Sequence, residues 1–242
     1  MYRMHCENLK QLESAISLIQ RDLRKYISME QSHNEEIYTK ILSYLVTCWT
    51  EVRILKLIHE QNAFTEGEIQ IVMAANTLEQ KWIYALNISI CKAYGLQFTD
   101  NSNRIEQLLP FTPRVRYKEI RNLIANDLVP SITIRNRIAH GQWVYAFKNG
   151  LREVSTDLMR ELRNENIVEL QLRVKIFKNL TQIIHDLAVS PPTFERYFDE
   201  NFQKLEQQKN NLHKRNYRIY KEKMVRKYQR GLDKRREKQT VE

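Results

Sequence analysis

Apolar residues recur at intervals of three and four over residues 7–30, where Leu9, Leu12, Ile16, Ile19, Leu23 and Ile27 form one stripe. This spacing predicts an amphipathic helix. Ser32 followed three residues later by Glu35 predicts a capping box, and a second helix is expected from about Glu35 to Asn62. That helix is apolar over a wide face and should be the central, most buried element. A third helix is expected from Thr65 to Gly95. Residues 97–113 are polar and punctuated by proline, a connection with room for one short helical turn. A short helix follows over Arg114–Asn126, and Asp127–Pro130 lead into the stretch Ser131–Trp143, SITIRNRIAHGQW.

After Gly141 the period changes. Trp143, Tyr145 and Phe147 alternate with Val144 and Ala146, and Asn149-Gly150 precedes a second short run, the pattern of a β-hairpin. Asp157 restarts a helical stripe through Leu158, Leu162, Ile167, Leu170, Val174, Phe177, Leu180, Ile184 and Leu187 to Val189, which Pro191-Pro192 ends. A further helical segment, Phe194–Leu212, grades into a basic tail. The chain contains no internal repeat and no sustained heptad.

Composition sharpens this picture. With five Gly and five Pro in 242 residues, an all-α protein is favoured over a sandwich or barrel. Two parts are expected, a helical domain over 1–190 and a basic helical extension over 191–242. No apolar run approaches the ~18 residues of a membrane span, and the first residues lack the apolar core of a secretory signal. Cys6, Cys48 and Cys91 are widely spaced within helical patterns, as free thiols of a reducing compartment would be. A cytoplasmic location is the expectation. The net charge of +10 is uneven: from Lys204 onward there are 14 basic and 5 acidic residues, which leaves the body nearly neutral. Such tails meet phosphates. Arg215, Arg218, Lys221, Lys223, Arg226 and Lys227, interleaved with Tyr217, Tyr220 and Tyr228, suit backbone neutralisation with base stacking, or a solvated charged helix. Trp49, Trp82 and Trp143 read as core or interface anchors.

Candidate chemistry concentrates in RNRIAH, Arg135 to His140. The spacing alone is weak: with 21 arginines and 6 histidines in the chain, such a pair is expected by chance about half a time. Arg53 and His59, six apart, form a decoy expected to lie mid-helix with no glycine exit. Asn136 and His140, four apart, share a helix face, where the amide could orient the imidazole. Arg135 lies about 140° round an ideal helix from His140 and ~7.5 Å along it. The long arginine side chain would have to swing across the helix start, or a second copy of the chain would have to complete the site. Gly141 lets the chain leave the helix directly after His140. A His, Arg and Asn set needs no metal and no cofactor to cleave RNA, because the nucleophile is the substrate's own 2′-hydroxyl. Histidine would move the proton, and arginine would stabilise the phosphorane. Alternatively, Arg135 is a surface ion-pair former and His140 a histidine at the helix end.

RNRIAHG resembles the signature of the HEPN superfamily: an arginine, a polar residue, three more residues and a histidine on one helix of a four- or five-helix bundle. The preceding helices and Glu51, an acidic residue on an earlier central helix, are similar too. The hairpin and the basic tail depart from that pattern. The resemblance covers roughly residues 7–190 and implies a HEPN-like bundle with Arg135, Asn136 and His140 as catalytic residues and Glu51 in support. It further implies a homodimeric, metal-independent endoribonuclease of a toxin–antitoxin, abortive-infection or antiviral system, with RNA as substrate and a cognate antitoxin or sensor protein as a further partner. A non-catalytic adaptor tethered by the basic tail, or a partner that neutralises another HEPN protein, are the competing expectations.

Overall fold

The computed structural model describes residues 1–148 and 153–239. Helices follow one another along the chain: α1 (Tyr2–Ser28), α2 (Ser32–Ile58), α3 (Glu66–Met73), α4 (Leu78–Ala93), α5 (Ser102–Leu108) and α6 (Phe111–Leu123). A π-helical turn (Ile124–Leu128) leads into α7 (Val129–Ala139), followed by α8 (Thr156–Asn164), α9 (Ile167–Val189), α10 (Pro191–Lys214) and α11 (Tyr217–Gln239). The class is all-α, and no helix among the described residues is long and apolar enough to cross a membrane.

The central position of α2 follows from its sequence. Leu42, Val46, Trp49, Ile54, Leu57 and Ile58 are buried together with Ser43, Thr47 and Thr50, so apolar surface points in several directions at once. α1, α4, α7 and α9 each pack against it. The indole of Trp49 donates to Glu13 on α1 at 3.0 Å, satisfying its N–H inside the pair. α9 is the second buried axis, with Phe177, Leu180, Ile184 and Leu187 all in the same apolar core. A smaller cluster of Ile134, Ile138, Ala146 and Leu162 holds the far side of α7.

Several expected elements divide or shift. The helix expected over Thr65–Gly95 is two helices, because Thr77 caps α4 with its hydroxyl on the Gln80 N–H at 3.1 Å and interrupts the run. Thr65 begins α3 with a full capping box to Glu68. The box expected at Ser32–Glu35 does not form: Gln31 is the N-cap and Ser32 is already helical. The stripe over 157–189 breaks at Glu165–Asn166, where the Asn166 carboxamide accepts from Val168 and Glu169, both at 3.1 Å, and starts α9 afresh. Pro191 and Pro192 end one helix and open the next, since the first turn needs no N–H from them. His59 is not mid-helix but caps the end of α2, its Nδ1 2.8 Å from the Leu55 carbonyl and its ring packed on His5.

The expected hairpin is not formed among the described residues. One isolated antiparallel bridge, Phe147 with Val154, stands in its place, and Asn149-Gly150 lie outside the described residues. Two backbone bonds flank that bridge, from the Lys148 N–H to Glu153 O at 2.8 Å and from the Ser155 N–H to Ala146 O at 2.7 Å, while the Phe147 N–H points away from Val154 and goes to the side-chain oxygen of Gln142 at 2.9 Å. Ala146 turns into the small cluster, while Val144 and Tyr145 remain exposed.

The extension is bound to the body. Phe194, Phe198 and Leu205 of α10 enter the main core, and Tyr217, Tyr220 and Met224 of α11 pack against it. The Tyr217 hydroxyl donates to Glu35, and Lys221 pairs with the same carboxylate at 2.8 Å. Burial first, and then the bond to Glu35, push the Tyr217 phenol well above its ordinary value; burial and Glu195 do the same to Tyr94. A phenol whose folded pKa is raised stabilises the fold below its unfolded pKa of about 10 and loses that contribution as pH rises beyond it. The urea midpoint should therefore fall steeply above about pH 10. It should fall less steeply in a Tyr94→Phe, Tyr217→Phe double variant; parallel curves for the two proteins would contradict this.

Candidate functional site

α7 carries the motif, and its entry is built by Pro130. Proline cannot donate to the carbonyl four residues back, and its ring crowds that carbonyl. The turn before it widens to π pitch, with the Val129 N–H reaching Ile124 O, so α6, the π turn and α7 run on without the break expected at Asp127–Pro130. Burial raises the pKa of the Asp127 carboxyl in that turn, against the pull of Lys209, whose ammonium sits 3.3 Å away as an ion pair without hydrogen-bond geometry.

The exit of α7 is fixed by backbone geometry. Gly141 adopts φ +75°, the left-handed region open to glycine. Its N–H bonds to Ile138 O at 3.1 Å, and the next N–H, of Gln142, bonds to Arg137 O at 2.9 Å. These two bonds form a Schellman closure. His140 is the C-cap residue and is exposed, and its ring makes no hydrogen bond among the described residues.

Arg135 faces the other way, toward α2. Its guanidinium donates to Glu51 through Nη2 and to the Asn136 Oδ1 through Nη1 at 3.0 Å. The Arg135 side chain is 19% exposed and that of Glu51 39%, so the pair is half-buried. Nearby on α2, Thr47 donates to Ser131 O of α7 at 3.3 Å, a second polar tie across the same contact. Cys48 and Tyr44 continue this face. Burial raises the Cys48 thiol, opposed by Tyr44 and Arg135, and the adjacent thiol is the first cause holding the Tyr44 hydroxyl above its ordinary value.

Glu51, Arg135 and Asn136 are thus brought together. His140 stands apart from them. Asn136 does not orient the imidazole as its spacing suggested; its carboxamide oxygen is taken by Arg135, and its backbone oxygen accepts the His140 N–H at 3.1 Å. His140 opens instead onto a groove of about 690 Å³ that Arg137, Trp143 and Tyr145 also line. Arg137 went unnoticed in the sequence because it lies inside the motif, at one of its unspecified positions. Its interval of three from His140 was the available signal.

Of the six tail cations singled out, Lys221 is committed to Glu35. Arg218 and Arg226 lie 3.9 and 3.4 Å from Glu222. Arg215, Arg218, Lys223, Arg226 and Lys227 are exposed.

The Arg135–Glu51 contact should be measurable apart from any activity. In a double-mutant cycle with Arg135→Met and Glu51→Gln, read by urea unfolding, a coupling of about 1–2 kcal/mol is expected for a half-buried charged pair. Coupling near zero would mean that the two side chains do not hold each other in solution. Comparisons with protein-family models, with curated protein sequences and with solved structures found no match.

Proposed function

We propose that this chain is a metal-independent endoribonuclease of the HEPN kind, cleaving single-stranded RNA with His140 as acid and base and Arg135 as the phosphate clamp. The observation that carries the proposal is His140 itself: an imidazole on an exposed helix end, uncommitted to any hydrogen bond among the described residues, lining an open groove. Arg135 supports it, held in one orientation by Glu51 of α2 and by its neighbour Asn136 on α7.

The chemistry follows from these groups. A histidine takes the proton of the 2′-hydroxyl, whose oxygen attacks the adjacent phosphorus. The bond from phosphorus to the 5′-oxygen breaks, and that oxygen leaves with a proton supplied by an imidazolium. The products are a 2′,3′-cyclic phosphate and a 5′-hydroxyl. Arginine matches the extra charge of the phosphorane with a planar fork of donors. Because Arg135 and His140 point to different sides of α7, the proposal includes a two-fold homodimer in which each copy's arginine meets the other's histidine. A role in a toxin–antitoxin, abortive-infection or antiviral system, with an antitoxin or sensor protein as regulator, belongs to the same proposal. A non-catalytic, tail-tethered adaptor is the second reading, favoured by the exposed cations of α11.

His140→Ala separates the two. Under the enzyme reading it abolishes RNA cleavage, by about a hundredfold or more, with RNA binding retained. Cleavage by the wild type survives EDTA, and a 2′-deoxy substitution at the cut site blocks it. Equal cleavage by wild type and His140→Ala would remove the mechanism.

The tail gives a separate expectation. Replacing Lys223, Arg226 and Lys227 with Gln should weaken RNA binding and flatten its salt dependence by about 0.7 per lost phosphate contact in log K against log salt. These side chains are exposed, so the melting temperature should hold. An unchanged salt slope would take the tail out of RNA binding.

A further inference from the structure

The groove beside His140 has a composition that proton transfer alone does not require. Of the described residues lining it, Trp143, Tyr145 and Phe147 are aromatic, Arg137 is basic, and none is acidic. Arg137 and His140 are three residues apart and so fall on one side of α7. Arg137 is half-buried as a residue, and its guanidinium has neither an ion-pair nor a hydrogen-bond partner among the described residues, in contrast to Arg135. Its planar fork of donors is therefore open to an anion in the groove.

The walls are fixed before any ligand arrives. The Trp143 indole N–H donates to Ile138 O at 3.0 Å, anchoring the ring to the end of α7. Gln142, 8% exposed, fastens the segment after α7 through its bond from the Phe147 N–H. Tyr145 is 57% exposed and lines the groove, so its ring is accessible to a ligand. The volume of about 690 Å³ falls within the ~300–1,000 Å³ usual for small-ligand clefts. Aromatic faces, one free guanidinium, an imidazole and no carboxylate are complementary to a flat base joined to a phosphate. They do not suit a cationic or acid-seeking ligand.

We propose that this groove is a nucleotide subsite, in which one nucleoside of single-stranded RNA stacks on Tyr145 and Trp143 while its phosphate is held by Arg137 beside His140. The inference deepens the endoribonuclease reading and rests on it for its place in a reaction, but the binding it asserts can be measured without cleavage. Arg137 becomes a substrate-positioning residue, and Tyr145 the residue whose ring makes the site accept a base.

The test uses the full chain and tryptophan fluorescence, since Trp82 is fully buried, Trp49 nearly so, and Trp143 lies on the groove. Uridine and adenosine 3′-monophosphates should quench the emission of the wild type saturably. Ribose 5-phosphate and inorganic phosphate should bind at least tenfold more weakly, because each stacked base contributes on that scale. Tyr145→Ala should weaken nucleotide binding about tenfold and Tyr145→Phe should restore it. Arg137→Gln should weaken both nucleotides, and Arg137→Lys should recover part of the loss. With an RNA substrate, Tyr145→Ala should raise KM and leave kcat nearly unchanged.

Absence of saturable quenching in wild type, or equal binding of ribose 5-phosphate and the nucleotides, overturns the subsite. RNA cleavage that depends on His140 while a normally melting Tyr145→Ala keeps its KM overturns the subsite and leaves the enzyme reading standing. Tyr145-dependent nucleotide binding in a chain that cleaves no RNA upholds the subsite and overturns the enzyme reading.

Discussion

A helix with apolar side chains on more than one face cannot lie on a surface; it must be enclosed, and most of the polar groups it carries inward must find partners. α2 imposes this constraint on the rest of the chain. Four helices gather round it, and its polar side chains determine what the neighbours present. Trp49 is answered by Glu13 of α1, Thr47 by a backbone oxygen of α7, and Glu51 by Arg135. The orientation of the motif helix is thus the solution to a burial problem on another helix. The arginine of RNRIAH serves that solution whatever else it does.

Apolar periodicity is enough to read the all-α class, the long helices and the exit at Gly141, since each rests on local chemistry visible in a few residues. It fails where a single polar side chain overrides the stripe. Thr77 and Asn166 each interrupt an otherwise continuous apolar pattern by capping a new helix, and nothing in the pattern's period marks them. The π turn is invisible for the opposite reason: Pro130 reads as a stop, although widening the preceding turn accommodates it. The tail illustrates a third kind of failure. Tyr217 and Tyr220 look like stacking platforms among cations, but their rings pack on the core, and the Tyr217 hydroxyl finds Glu35, 182 positions away in sequence. The pairing of Glu51 with Arg135, 84 positions apart, is equally non-local.

Within the site, helical geometry separates residues that the linear motif presents as a set. Two arginines flank Asn136, and they take different work: Arg135 is directed to a carboxylate on α2, whereas Arg137 is left on the side of the histidine. One face of α7 is electrically satisfied from within the chain and the other is not. The unsatisfied face is the one bounded by aromatic rings, and the Schellman closure at Gly141 is what brings those rings back beside it.

The wide turn at Ile124–Leu128 has a consequence for how such a site could be gained or lost. One residue more per turn than an α-helix would use sets the rotational phase of everything that follows, and one residue corresponds to about 100° about the axis. Because the wide turn absorbs its extra residue, deleting one position there would regularise the backbone with Arg135 still facing Glu51, whereas regularising the turn at unchanged length would swing Arg135 about 100° away, with the motif's spelling intact. The phase of the helix is therefore information that a motif string does not carry: a change in the pitch of one turn, at residues that are not functional, re-aims this face.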